Sequence, residues 1–443
     1  MREALPRAAK RLSAEDRAIL RSESATVAGH TLKVAILDPS AGQSWPDIEA
    51  LRTRIAAGIE RAPQLRWKLR VHARGRAEWV DDPTFDIRNH VRARPATGTI
   101  SEDELRGICA RMMQERLDRS KPLWTIDLLD PLEDGGTALV WSVHHSMADG
   151  AMAVRLAREV LWDEDDAAEG RSVAPTASGP LGDLRQSLEI RHPGRLPATL
   201  RRQLPRARER SPFEGRVSAL RTVAFTSIEF GGLKPSAKRL VPEATVNDLV
   251  LALVAGGVRR WAESRGGPPG SLRVRIPVSL HQRAESPEAA NRDSFFCVAL
   301  SVATTDPVEL LRLISRETAQ RKRARDAQIV DALLRDIGRL APPVRRLLDS
   351  LLARPEVFAL NVSNVKGPTR RPSVLGAPVR AFYSVADIDH QHGLRVAVIS
   401  MADELHFGLC AEPTIVGSLD PLVEGIVAEA AALTGRSTSS GQA

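Results

Sequence analysis

"TALVWSVHHSMADGAMAVRLAREVL", residues 137–161, decides how this chain is read. Residues 137–143 form a short continuous apolar run of the kind that suits a central strand. The stretch "AMAVRLAREVLW" then continues as a helix. Between the two stand a pair of histidines, an aspartate and a glycine. A strand that ends in a loop delivers its last side chains to the sheet edge, where α/β proteins commonly keep their ligands. Adjacent strand residues point to opposite faces, so His144 and His145 cannot share a task. One should face a site and the other the scaffold. A positioned histidine is the usual general base for a hydroxyl or thiol, while a structural histidine pair is the competing reading. Asp149 and Gly150 close the turn into the helix, where the aspartate either caps it or holds a cation that fixes the loop. No HExxH, CxxC or third ligand at suitable spacing accompanies them, so no metal is expected. Ser146 lacks a GxSxG elbow and is not read as a nucleophile.

Outward from this stretch the pattern is mixed α/β in two halves. "SWPDIEALRTRIAAGIERAP" spaces Ile48, Leu51, Ile55 and Ile59 by three and four residues, which predicts an amphipathic helix with Ser44 as its cap and Pro46 in its first turn. "LRWKLRVHARGRAEWV" alternates and then turns at Gly75, predicting a hairpin. "SEDELRGICARMMQERLDRS" opens with Ser101 and Glu104 in capping-box spacing and predicts a helix packed on a sheet. After the acidic run at 163–170 the composition shifts to Pro, Gly, Ser and Arg, as in "RHPGRLPATLRRQLPRARERSP". That shift reads as an interdomain connection. In the second half "RTVAFTSIEF", "SLRVRIPVSL", "FALNVSNV", "RVAVIS" and "ELHFGLCAE" read as strands, and "TVNDLVLALVAGGVRRW" as a helix. The expected division is 1–178 for the first domain, 179–212 for the connection, 213–435 for the second domain and 436–443 for a flexible tail.

Bulk properties narrow the function classes. A chain of 443 residues exceeds one ordinary core and should hold two or three domains. Its 43% hydrophobic and 27% charged residues are those of a globular protein, and "LVLALVAGGV" at 249–258 is far short of a membrane span. The N-terminus carries no secretory pattern, so a cytoplasmic location is expected. Cys109, Cys297 and Cys410 lie far apart and are expected to be reduced, buried thiols. The formal charge of +8 favours a polyanionic partner such as nucleic acid, an anionic membrane surface or a phosphate-bearing cosubstrate. Aromatics make up only 4% of the chain, with Tyr383 its one tyrosine, which argues against nucleic acid.

The full string "HHSMADG" matches the HHxxxDG signature shared by several families of CoA-dependent and carrier-protein-dependent acyltransferases. The remainder of the chain resembles one of them, the bacterial wax ester synthase/diacylglycerol acyltransferase family. The resemblance runs in order through "LSAED" (12–16), "WVDDPTFDIRNHVR" (79–92), "LDRSKPLW" (117–124) and "PFEGRVSALR" (212–221). It continues through "TVNDLVLALV" (245–254), "IPVSL" (276–280), "NVSNVKGP" (361–368) and "LHFGL" (405–409). Departures fall in the second half: "SNVKGP" stands where the family commonly has NVPGP, "ANRD" where a glycine precedes the asparagine, and "SMAD" where it has SYxG. That half helps shape the substrate channel in the family, so the departures bear on acceptor choice more than on reaction type.

The resemblance implies an α/β fold of two chloramphenicol-acetyltransferase-like domains, each a mixed sheet flanked by helices, with a substrate tunnel between them. It implies His145 as general base, with His144 supporting it and Asp149 and Gly150 ordering the loop. Asp149 would pair with an arginine, for which Arg66 is the candidate. Asn247 is the candidate for oxyanion contact or positioning, and Asp248, Pro122, Leu123 and Trp124 are assigned to the substrate-binding surroundings. The implied reaction moves a long-chain acyl group from acyl-CoA, a co-substrate with no bound cofactor, to diacylglycerol or a fatty alcohol. The implied setting is peripheral, on an anionic membrane or lipid-droplet surface. The arginines of 195–210 belong either to CoA phosphate or headgroup contact or to a solvated linker. Two other readings stand beside this one: a carrier-protein-dependent condensation enzyme, and a non-catalytic lipid-binding protein on the same fold, whose usual mark would be a broken HHxxxDG. The oligomeric state is left open.

Overall fold

The structure, a computed structural model, describes residues 10–38, 47–73, 76–94, 98–163, 211–267, 270–279, 293–340 and 342–435. Residues 179–210 of the expected connection at 179–212, which include the arginines of 195–210, and the tail at 436–443 lie outside the described residues, as do Ser44, Pro46 and Gly75.

Among the described residues, two six-stranded sheets and a small three-stranded one carry the fold. The first sheet runs Ser373–Val374, Ala377–Ala386, His30–Leu37, Thr137–His144, Trp124–Leu129, Val91–Arg94. The second runs Asp293–Leu300, Leu272–Ser279, Leu360–Lys366, Leu394–Met401, Glu404–Ala411, Thr222–Glu229. Lys10–Arg11 joins the predicted hairpin, Trp67–Val71 with Ala77–Asp81, in the third.

The central strands follow directly from sequence. His30–Leu37 and Thr137–His144 are buried at every position, as near-continuous apolar runs require when both faces are covered. Helices Ile48–Ile59 and Gly150–Val160 cover one face of the first sheet, where Leu51, Ile55, Val154, Leu156 and Val160 join a core with Trp141 and Val143. Each such side chain contributes roughly 1.5–3 kcal/mol when fully buried. Helix Glu102–Gln114 covers the other face through Leu105, Cys109 and Met113, over Leu32, Val34 and Val140. Its capping box is formed by Ser101 and Glu104 as expected. The cap of the Ile48–Ile59 helix is Asp47, which accepts from the Ala50 amide at 2.9 Å, in place of the expected Ser44. An aspartate directly before the first turn is closer to the orphan amides than a serine three positions upstream. All three cysteines are buried and none is in a disulfide.

Division of the chain into halves does not coincide with division into sheets. Ala377–Ala386 lies late in the sequence, yet it pairs antiparallel with His30–Leu37 and extends the first sheet. The second sheet approaches this seam with the face that carries Ile399 and Met401, which join the same core as Trp141 and Phe382.

Candidate active site

Thr137–His144 ends in a turn of minimal length. The His144 carbonyl accepts from the Met147 and Ala148 amides at 2.9 and 3.2 Å. Asp149 then caps the helix, its Oδ1 accepting from the Met152 amide at 2.7 Å. Both histidine amides are pinned to neighbouring chain: that of His144 donates to the Leu123 carbonyl, and that of His145 to the Gly29 carbonyl, each at 3.0 Å.

The two imidazoles occupy different environments. His144 is fully buried, with Nε2 at 2.9 Å from Glu23 Oε1 and Nδ1 at 2.6 Å from Ser146 Oγ. The Ser146 amide also donates to His144 Nδ1 at 3.2 Å, which leaves Nε2 as the nitrogen that donates to Glu23. Glu23 in turn receives Arg119. Burial works to raise the Glu23 carboxyl, but the hydrogen bonds and charges of His144 and Arg119 outweigh it and hold the group below its ordinary value.

His145 is half-buried on the opposite face. Burial first, then the charges of Arg395 and Lys33, lower its pKa to about 4, with Asp149 opposing. The ring is therefore neutral at pH 7, the state in which it accepts a proton. Gly150 stands at the start of the helix where this loop meets the second sheet. A Cβ there would lie 2.8 Å from Val365 Cγ2 of strand Leu360–Lys366, so any larger residue would force the loop or Val365 to shift.

Gly29 carries a second constraint. Its φ is +72°, and a Cβ would lie 3.0 Å from His144 Nε2 and 3.1 Å from Glu23 Cγ. The segment is clamped from the second half of the chain, because Asp387 Oδ2 accepts from the Ala28 and Gly29 amides at 2.8 and 3.2 Å. Asp387 Oδ1 accepts from Arg221 Nε at 2.9 Å in a buried ion pair. Arg221, Asp387 and Glu23 thus form the support behind the motif, and sequence reading missed all three. Their partners are distant in sequence, which leaves no local spacing to find. Lys33 was missed as well, although a lysine inside "HTLKVAIL" was a visible signal.

Other expected residues lie as follows. Leu123 and Trp124 are completely buried. The Trp124 indole donates to the Leu65 carbonyl at 2.7 Å and stacks on His90. Pro122 and Trp124 also border a pocket of about 190 Å³ that includes His30 and Ser142, on the sheet face opposite His145. Asp248 is buried with both oxygens occupied, accepting from the Thr245 amide at 2.8 Å and from Thr318 Oγ1 at 2.6 Å. These contacts lock the start of the helix Val246–Glu263, a structural duty that stands beside the expected binding role. Asn247, one residue before, is half-buried in the first turn of that helix. Arg66 does not serve as the arginine of Asp149. It pairs with Asp81 at 3.3 Å and lies 5.4 Å from the centre of the Phe85 ring, because the hairpin holds it there. Arg395 of strand Leu394–Met401 instead acts on His145 and Lys33, the groups on which the Asp149 charge also acts. Among the described residues no group of three or more His, Cys, Asp or Glu side chains is arranged to hold a metal, and no helix is long and apolar enough to cross a membrane.

Comparison with known proteins adds identity to this geometry. The wax ester synthase/diacylglycerol acyltransferase catalytic domain matches residues 12–203, and the C-terminal domain of the same family matches 289–434. A probable diacylglycerol O-acyltransferase of Mycobacterium tuberculosis H37Rv is 28% identical over 405 residues, covering 86% of this chain and 87% of its own. A second, putative diacylglycerol O-acyltransferase of that organism is 30% identical over 465 residues, covering 94% and 95%. Among solved structures, the wax ester synthase/diacylglycerol acyltransferase of Marinobacter aquaeolei VT8 superposes with a TM-score of 0.69 at 22% identity, over 96% of this chain and 98% of that one. The first condensation domain of the CDA synthetase superposes with a TM-score of 0.62 at 14% identity, over 97% of each chain. These two likenesses establish the two-domain fold. With the family matched along both halves, the chain belongs to the wax ester synthase/diacylglycerol acyltransferase family and is an acyltransferase.

Proposed function

We propose that the protein transfers a long-chain acyl group from acyl-CoA to the hydroxyl of diacylglycerol, and to long-chain alcohols that enter the same tunnel, with His145 as general base. The observation that carries this reading is an intact HHxxxDG turn that holds a neutral imidazole at the seam between the two sheets. His145 takes the acceptor proton as the hydroxyl oxygen attacks the thioester carbonyl. The tetrahedral intermediate collapses, the C–S bond breaks, and the imidazolium returns the proton to the CoA sulfur. No acyl-enzyme is required. Holding both substrates at one point supplies much of the acceleration, and the base adds about 10²- to 10⁴-fold. Asp149 and Gly150 order the loop, and Asn247 is the candidate for positioning the carbonyl oxygen. The positive net charge supports docking on an anionic lipid surface, from which a water-insoluble acceptor can enter.

The test supplies the purified full chain with palmitoyl-CoA and diacylglycerol, hexadecanol or a small hydrophilic alcohol, and identifies products by mass. Triacylglycerol with some wax ester supports the reading, since apolar pockets discriminate weakly between chain lengths. Acylation of the hydrophilic alcohol alone sinks the lipid assignment. Transfer only from a carrier-protein-bound acyl group favours the condensation-type reading.

A further inference from the structure

Lys33 lies inside a strand buried at every position, and is itself 2% exposed. Its ammonium donates to the neutral Ser384 hydroxyl at 2.6 Å. A buried charge is retained against a heavy desolvation cost, normally relieved by a direct ion pair. The carboxylate whose charge acts on Lys33 is Asp149 in the motif loop, with Arg395 opposing it from the second sheet. Lys33 is the cross-strand partner of Trp141, and Gly29, four positions before it, holds the His145 amide. Strand alternation therefore puts Lys33, Trp141 and His145 on one face. That face packs against Val365, Ile399 and Met401 of the second sheet. The lysine thus brings a cation to the apolar seam in which His145 sits, and its charge is felt by His145.

We propose that the Lys33 ammonium, steadied by Ser384, stabilises the negative charge that forms on the thioester carbonyl oxygen during acyl transfer. This deepens the proposed reaction and rests on it. As the acceptor oxygen bonds to the carbonyl carbon and its proton passes to His145, the carbonyl π electrons move onto oxygen. A cation in a dry seam meets that charge without reorganising. When the C–S bond breaks the charge leaves with the CoA sulfur, which takes the proton back from His145, and Lys33 ends as it began. Burial, then Arg395, lowers Lys33 to about 7 while Asp149 raises it. The amine therefore carries its charge below neutrality and loses it above, whereas His145 is neutral above about 4. Activity requires both conditions.

The experiment compares wild type, Lys33→Met and Ser384→Ala in CoA-thiol release across pH 5–9, with the acceptor that wild type uses, alongside thermal melts. Lys33→Met is expected to lower the rate by about 10²-fold, to abolish the alkaline limb and to leave the melting midpoint at or above wild type, because an apolar isostere relieves a buried charge. Ser384→Ala removes a partner of the charged amine and is expected to move the alkaline limb to lower pH. A Lys33→Met enzyme within about two-fold of wild type, or one that loses stability along with activity while the limb stays, overturns the proposal. If Lys33→Met does not fold, an unmoved limb in Ser384→Ala overturns it equally. Should His145→Ala abolish transfer while Lys33→Met leaves it intact, only this inference fails. If wild type transfers nothing, the underlying reading fails.

Discussion

His144 and His145 are the same residue one position apart, and the strand turns them into different chemical objects. His144 points to the face of the first sheet that helix Glu102–Gln114 covers and is locked between Glu23 and Ser146. His145 points to the seam, with its amide on Gly29 and its ring kept neutral by burial and by the charges of Arg395 and Lys33. Identity of residue type says nothing about role here. Parity along the strand assigns it, because a period of two sends neighbours to opposite faces.

The sharpest way to break this contrast is His145→Ala. Loss of about 10²- to 10⁴-fold in thiol release is expected, with the melting midpoint within about 2 °C of wild type, as befits a change outside the core. His144→Ala should do the reverse. Removing the buried partner of Glu23 is expected to destabilise by about 3 kcal/mol, read as a lower denaturant midpoint at unchanged slope. Activity measured well below melting should stay within about ten-fold of wild type. A swapped pair of outcomes would mean that the base is on the other face.

Acid sharpens the same contrast. His145, His392 and His406 are all pushed to about 4, chiefly by burial. Between about pH 6.5 and 4 the unfolded chain therefore binds protons that the folded one refuses, so stability falls as pH falls through that window. Urea midpoints measured from pH 7 to 4.5 should decline, and less steeply in His145→Ala. A pH-independent midpoint would contradict the neutral burial of these rings.

Two smaller effects test the loop's surroundings. Gly150→Ala places a methyl 2.8 Å from Val365 Cγ2, and about 1–3 kcal/mol of overpacking is expected. Its activity should fall, because the loop must retreat from the seam, and Val365→Ala should restore it. Without that rescue, the contact is not what glycine serves. Arg66→Ala should cost less than about 1 kcal/mol, as exposed ion pairs do, and leave the pH–rate profile unchanged. A shifted profile would return Arg66 to the site.

What the sequence disclosed about this site was local, and what it concealed was distant. The apolar run, the HHxxxDG turn and the Ser101 capping box depend on neighbours within a few positions, so their patterns can be read along the chain. Glu23 sits in the unremarkable stretch "SESAT", and its role arises only when folding brings it to His144, 121 positions away. Asp387 gives no local hint that it will hold the amide of Gly29, 358 positions before it. Arg66 was assigned to Asp149 by analogy, but the hairpin supplied a closer carboxylate in Asp81. Asp248 is expected in the substrate-binding surroundings by resemblance alone. The capping geometry and Thr318 use both its oxygens.

The strand that returns from the second half has a consequence for how the molecule comes into being. Lys33 and Ser384 meet across 351 positions, so the first sheet stays one inner strand short until most of the chain has been synthesised. At roughly 5–20 residues per second that wait is roughly 20–70 s. During it the edge of His30–Leu37 is unpaired and apolar, the kind of edge that invites association with other chains. Asp387, which fastens the Gly29 segment behind His145, follows directly after the same strand. An amino-terminal fragment ending before it would carry the whole signature motif and still lack a finished sheet. Birth of the catalytic loop as a working object is therefore a late event, timed by the carboxyl-terminal half.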